Sequence, residues 1–283
     1  VSPFCAIVSR PYWPRSARLR GLCNGAALAA TRGRAIAASA GSAYRPLVVA
    51  DEVSVDEIDD RAELGWAALE AALAAPAPRG EIERLRADPR FATAVPEIAR
   101  LFGVPQPPDK HPEIDTGLHS LMALEQAARL SDSPEVRFGA LVHDVGKGLT
   151  PREEWPKHKD HEERGVPVVE GMCRRLGAPA SFRELGVLAA RWHGLAHKAH
   201  ELRPGTLLDM LEAWDALARP ERLEALIAVA WADKRGRTGM EEVGYPPAAV
   251  LRRVRDAVAR VRTQPCQLRL RRLEAIADCQ RGY

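Results

Sequence analysis

The first fifty residues contain no lysine, aspartate or glutamate, although they carry Arg10, Arg15, Arg18, Arg20, Arg32, Arg34 and Arg45. Such a stretch offers no carboxylate to a metal or a proton-transfer step. Its Ala, Ser and Gly filling shows no sustained helical or strand period. Three readings of residues 1–60 stand side by side: a disordered extension, an Arg-rich leader of the kind that directs proteins to organelles, and a stretch read out of frame. The whole chain lacks an apolar run near the roughly 18 to 20 residues a bilayer crossing needs, so no membrane partner is expected. It lacks CxxC spacing too. Its five cysteines (Cys5, Cys23, Cys173, Cys266, Cys279) are scattered and odd in number, which argues against a disulfide framework or a zinc knuckle and fits a reducing, cytoplasmic setting. From Glu81 onward strand signals are nearly absent, with no useful alternating Val/Ile/Thr run and no Asn-Gly or Asp-Gly hairpin turn.

What is present is an ordinary globular composition over 283 residues, 46% hydrophobic and 28% charged with a net charge of +3, long enough for a real core. Acidic residues arrive abruptly between Asp51 and Asp60, and an alanine-rich helical stretch over 62–75 ends at Pro76 and Pro78. Apolar residues three and four apart then predict helices over 116–130, 134–145, 160–177, 182–192, 204–217, 220–233, 247–261 and 267–277. Pro134 suits a first helical turn, Gly146 a stop, and Asp160 with Glu163 has the spacing of a capping box. The expected fold is all-α: a compact helical bundle at 111–240, a helical linker or body at 61–110, a basic helical arm at 241–283, and a less ordered segment at 1–60.

The chemistry concentrates in the bundle. His143 and Asp144 end one apolar helix, His119 sits beside a buried stripe one helix earlier, and Asp233 ends a later apolar helix. Burying two imidazoles and two carboxylates costs several kcal/mol unless something pairs with them. A divalent cation supplies that pairing, and a His/carboxylate set suits Mn, Fe, Ni, Zn or Mg rather than a thiolate-preferring metal. Lys147, just past the helix end, is a candidate for holding a phosphate oxygen. His161 and His193 are candidates for second-metal ligands or for the proton donor to a leaving alcohol. The alternative for His161, in the polar stretch 157–164, is simple exposure. His111, His158, His197 and His200 read as surface residues.

The spacing H…HD…D over these positions resembles the HD superfamily of phosphohydrolases. Gly103-Val104-Pro105-Gln106-Pro107, His111-Pro112-Glu113-Ile114-Asp115-Thr116-Gly117, His143-Asp144-Val145-Gly146-Lys147-Gly148-Leu149-Thr150-Pro151 and Ala232-Asp233-Lys234-Arg235-Gly236-Arg237 narrow the likeness. Over residues 85–259 they resemble the C-terminal half of bacterial multifunctional CCA-adding tRNA nucleotidyltransferases. The resemblance implies a metal-dependent phosphatase, 2'-nucleotidase and 2',3'-cyclic phosphodiesterase with a transition-metal preference (Ni or Mn, with Mg the other candidate). It implies nucleotide phosphate esters or the tRNA 3' end as substrate. It assigns His119, His143, Asp144 and Asp233 to the HD signature and His193 to a further histidine needed for hydrolysis.

The same family adds nucleotides with an N-terminal head that needs a glycine-rich loop and an Asp-x-Asp pair for two magnesium ions. Asn24-Gly25 is not such a loop, and no Asp-x-Asp precedes Asp51. This chain alone is therefore expected not to add CCA. Two rival readings follow: a tRNA-binding body that has lost catalysis, or a body working with a head supplied by another chain. In the arm, Arg252, Arg253, Arg255, Arg260, Arg262, Arg269, Arg271, Arg272 and Arg281 outnumber Asp256, Glu274 and Asp278. A solvated basic face and a contact with tRNA phosphates are both open there.

Overall fold

The computed structural model describes residues 64–282; the readings of residues 1–60 lie outside that range. The regular structure of the described residues is all helical, with no strand and one isolated antiparallel bridge between Pro105 and Asp115. The expectation of an all-α fold is borne out. Four short helices come first: α1 (Trp66–Ala74), α2 (Pro78–Arg86), α3 (Phe91–Ala94) and α4 (Pro96–Ala99). The bundle follows as α5 (Thr116–Leu130), α6 (Pro134–Val142), α7 (His161–Leu176), α8 (Ala180–Ala196), α9 (Pro204–Ala213) and α10 (Pro220–Arg235), and α11 (Pro247–Ala259) and α12 (Leu268–Arg281) close the chain. No helix among them is long and apolar enough to cross a membrane.

Local chemistry fixes where the bundle helices start. The Asp115 carboxylate accepts from Leu118 N at 2.9 Å and from Gly103 N at 2.5 Å, so it both caps α5 and ties the preceding loop to it. Ser133 accepts from Val136 N at 3.3 Å ahead of Pro134, the combination expected at a helix entrance. The capping box read from Asp160 and Glu163 does not form. Asp160 is in the left-handed region (φ 55°) and makes no side-chain cap bond, because the chain enters α7 through a tight turn. The helix expected over 134–145 stops at Val142, and a 3-10 turn, Val145–Leu149, carries the chain onward.

Two apolar cores flank the middle of the bundle. One gathers Leu207, Leu211, Trp214, Leu223, Ile227, Leu251 and Val254 from α9 to α11. The other gathers Leu73, Ile82, Phe91, Ile98, Leu101, Leu141 and Met172 beneath the first four helices. Helix α5 packs on α10 and α6, and α8 packs on α6, α7 and α10. The approach of α10 to α5 is close because residue 236 is glycine; a Cβ there would lie 2.7 Å from Ala123 N. The 3-10 turn likewise lies against α7 at Gly146, where a Cβ would meet the His161 carbonyl oxygen at 2.0 Å. These two contacts bring His119 toward Asp233 and His161 toward Asp144.

Candidate metal centre

Five elements deliver one buried cluster. His119 comes from the first turn of α5, His143 from the end of α6, and Asp144 from the residue after it. His161 opens α7, His193 lies in the last turn of α8, and Asp233 lies in the last turn of α10. His119, His143, Asp144, His193 and Asp233 are buried, and His161 is half-buried. The polar stretch around His161 therefore misled the alternative of simple exposure.

The carboxylates sit between the rings. His119 Nε2 lies 3.1 Å from Asp233 Oδ1, and His143 Nε2 lies 3.2 Å from Asp144 Oδ2. His161 Nε2 and His193 Nε2 lie 3.3 and 3.4 Å from Asp144 Oδ1, and 3.3 Å from each other. Three of these histidines have their other nitrogen fixed by a backbone carbonyl. Nδ1 of His143 donates to Ala140 O at 2.7 Å, Nδ1 of His161 to His158 O at 2.7 Å, and Nδ1 of His193 to Ala189 O at 3.1 Å. Each therefore turns an Nε2 lone pair toward carboxylate oxygens. Lone pairs and carboxylate oxygens converging at about 3.3 Å in a dry interior repel one another unless a cation lies between them. His143 Nε2 and Asp144 Oδ1 are, in addition, fully buried with no hydrogen-bond partner. Ligand atoms of His119, His143 and Asp144, of His143, His193 and Asp233, and of Asp144, His161 and His193 fall within 4.8 Å of one another. The residues present thus fit a divalent cation, and the N/O donor set matches the metals expected from the sequence.

The protein already supplies part of the missing positive charge. Lys147 is buried, with Nζ 2.7 Å from Asp144 Oδ2 and 2.5 Å from Gln106 Oε1. Burial alone would raise the Asp144 carboxyl, but the Lys147 ammonium beside it outweighs burial and holds the group well below its ordinary 3.8. Burial would raise Asp233 too, but His197 and His119, whose Nε2 atoms face its two oxygens, outweigh it and hold the group well below 3.8. Burial would lower His119, but Asp233 and Glu113 beside it raise the ring to about 9.

Sequence reasoning missed an outer layer. Of the four histidines read as surface, only His200 is exposed. His111 is buried, its Nδ1 2.9 Å from Glu113 Oε1, and the same oxygen lies 2.9 Å from His119 Nδ1, which also reaches Gly236 O at 3.3 Å. His158 is half-buried between Thr150 Oγ1 and Pro105 O. His197 reaches Asp233 Oδ2 at 2.6 Å. Glu113 arrives through a turn in which Ile114 takes φ 61°, a left-handed conformation uncommon for a β-branched residue. The only usable signal was the density of His and Glu around Gly117; hydropathy treats such residues as solvent-facing.

Residues 116–237 match the model of the HD domain family. The bundle is an HD domain. Outside that domain too the chain has relatives: it is 50% identical over 201 residues to a multifunctional CCA protein of Thioalkalivibrio sulfidiphilus, covering 71% of this chain and 49% of the relative. It is 50% identical over 213 residues to that of Nitrosococcus oceani (75% and 52%) and 47% identical over 203 residues to that of Hahella chejuensis (72% and 48%). The chain spans about half the length of the curated relatives it matches. The resemblance drawn from the motifs is borne out: residues 116–237 carry an HD domain, and the chain is similar to part of the multifunctional CCA proteins.

Proposed function

We propose that the bundle is a metal-dependent phosphohydrolase centre acting on phosphate esters of nucleotides or on a tRNA 3' end. The observation that carries this reading is the set of buried imidazole lone pairs converging on two carboxylates with His143 Nε2 and Asp144 Oδ1 unpartnered. In this reading His119, His143, Asp144 and Asp233 hold the ion, and His161 and His193 share Asp144 Oδ1 at its edge. A divalent ion bound there supplies a Lewis acid for a phosphoryl oxygen and a bound water of lowered pKa.

The remaining work falls to this chain's own side chains. Lys147 is enclosed and committed to Asp144 and Gln106, so its role is to hold the Asp144 carboxylate rather than a phosphate as first expected. Arg237, with Nη2 3.4 Å from Asp233 Oδ1, is the cation better placed to meet a substrate phosphate. His193, backed by Ala189 O, keeps Nε2 available to carry a proton to the leaving alcohol.

The arm beyond residue 240 is proposed to contact tRNA phosphates through exposed Arg260 and Arg262. Much of its remaining charge is already paired: Arg252 with Glu224 at 2.6 Å, Arg269 with Asp209 at 2.7 Å and Arg272 with Glu212 at 3.3 Å. That favours a modest electrostatic contact over a tRNA-binding fragment without catalysis. A cytosolic setting completes the proposal.

Purified chain is assayed with Mn, Ni or Mg against p-nitrophenyl phosphate and 2',3'-cyclic AMP. Hydrolysis is expected to vanish in Asp144→Ala and to persist in Lys157→Ala, an exposed residue. Inactivity with every metal, together with salt-sensitive tRNA binding, refutes the enzyme in favour of the binder. Incorporation of CMP and AMP into tRNA by this chain alone contradicts the expectation that it cannot add CCA.

A further inference from the structure

We infer that His197, held in place by Tyr245, is a positioning residue that turns the Asp233 carboxylate toward the metal centre; the inference rests on the metal-binding reading above. His197 follows the last residue of α8 and is not one of the groups whose ligand atoms converge. Its Nε2 lies 2.6 Å from Asp233 Oδ2, and its Nδ1 lies 3.2 Å from the Tyr245 hydroxyl. A carboxylate only accepts, so Nε2 carries the hydrogen, and Nδ1 is then free to accept from the tyrosine O–H. The chain runs Tyr245 O–H to His197 Nδ1, and His197 Nε2–H to Asp233 Oδ2. The two oxygens of Asp233 are thereby divided. Oδ2 is engaged by His197, while Oδ1 faces His119 Nε2 at 3.1 Å and His143 Nε2 at 3.9 Å, with Arg237 Nη2 at 3.4 Å.

The tyrosine is itself held by the helix that carries Asp233. Trp231, two residues before Asp233, stacks on the Tyr245 ring (centroids 6.5 Å apart, planes 17° apart). Trp231 Nε1 and Arg235 Nε each donate at 2.9 Å to the carbonyl of Val243, two residues before Tyr245. Arg235 also lies over the Trp231 ring at 4.6 Å. Helix α10, the loop after it and the end of α8 therefore form a closed brace around one carboxylate. A carboxylate free to rotate would present either oxygen to the ion; this one is fixed to present Oδ1. Outer-layer partners of ligating groups commonly change metal affinity by about 10- to 100-fold when removed.

Mn(II) binding to the full, substrate-free chain, followed by the electron paramagnetic resonance signal of free Mn(II), tests the inference. The variants are His197→Ala, His197→Asn, His197→Gln and Tyr245→Phe. A glutamine amide reaches about as far as the imidazole Nε2, whereas an asparagine amide stops near Nδ1. His197→Ala and His197→Asn are expected to weaken Mn(II) binding about 10- to 100-fold, with His197→Gln recovering most of that loss. Tyr245→Phe is expected to weaken it less than His197→Ala, because the bond to Oδ2 survives. If His197→Ala fails to fold, the Asn–Gln contrast decides. Glutamine no better than asparagine, or all variants binding as the parent does, overturns the inference while the metal reading stands. A parent chain that binds no Mn(II) overturns both.

Discussion

Adding one methyl group at Gly146 should disable the centre without replacing any side chain of the buried cluster. A Cβ at this position would lie 2.0 Å from the His161 carbonyl oxygen, 2.7 Å from Gly165 N and 2.9 Å from the His161 carbonyl carbon. All three are backbone atoms, and none can rotate away. Ordinary contact begins near 3.4 Å, so the 3-10 turn and the first turn of α7 must separate by roughly 1 Å or more. That displacement acts between Asp144 and His161, whose contact is 3.3 Å. Overpacking with movable side chains costs about 1–3 kcal/mol. With a backbone-to-backbone clash Gly146→Ala belongs at the upper end, about 3 kcal/mol, which in a domain of this size lowers Tm by roughly 6–12 °C.

Misplacing a reacting group by about 1 Å can cost two orders of magnitude in rate. Metal affinity and hydrolysis should therefore fall further than stability alone accounts for. Gly171, within α7, is the control. Nothing lies within 4 Å of a Cβ there, so Gly171→Ala should gain about 0.5–1 kcal/mol through helix propensity. Thermal unfolding and Mn(II) titration of the pair read both effects. Gly146→Ala with the parent's Tm and Mn(II) affinity would show that the close approach at the 3-10 turn does not position His161.

Three further outcomes follow from the same geometry. Because His119 is raised from 6.5 to about 9, its contribution to the metal-free fold is fully present below pH 6.5 and is lost as pH rises through about 9; Asp144 and Asp233, both depressed below 3.8, contribute above that value and lose their contribution on acidification. Urea midpoints in chelator should fall on both sides of a plateau between those limits, and a midpoint rising from pH 6.5 to 9 contradicts the assignment. Arg137 is buried and donates through Nη1 to Leu73 O at 2.9 Å and Ala75 O at 3.1 Å, and through Nε to Ser131 O at 3.3 Å; Arg137→Met strands these carbonyls and should cost about 2–3 kcal/mol, with hydrogen exchange rising first in α1. An unchanged urea midpoint counts against it. Burial pushes the Cys173 thiol up to about 11 while Cys266 is exposed, so a thiol reagent at mildly alkaline pH should label Cys266 and spare Cys173 in the native chain, as read by peptide mass spectrometry.

Four members of the buried cluster were legible because each sits on a pattern. His143 and Asp144 terminate an apolar helix, His119 interrupts a buried stripe, and Asp233 ends another, so burial of a charge was deducible before any coordinates. Helix existence was legible for the same reason, as period and proline placement act locally. What failed was whatever depends on two segments meeting. The Asp160 cap is absent because the entry to α7 is set by Gly146 packing on His161 and Gly165, a contact between segments some fifteen to twenty residues apart. His197 looks solvent-facing to any local measure, yet its partners Asp233 and Tyr245 lie on other elements; His111, paired with Glu113 two residues on, is buried against the His119 ring of α5 (centroids 4.7 Å apart).

The same division explains why Lys147 was placed at a substrate. A lysine just past a helix end reads as an exposed point charge. Here the 3-10 turn folds it inward, three residues from Asp144, with Gln106 from the loop before α5 closing over it. A buried ammonium persists only where a carboxylate offsets its desolvation, so Lys147 and Asp144 form a unit whose net charge is close to zero. Asp233 has no cation as close as 2.7 Å, Arg237 Nη2 standing 3.4 Å off, so more of its charge is left to attract a divalent ion; this carboxylate is also the one braced by His197 and Tyr245. Neutralising Asp233 as Asn should accordingly reduce Mn(II) affinity more than the charge-preserving Lys147→Arg does. The reverse order would mean that Asp144 carries the ion alone.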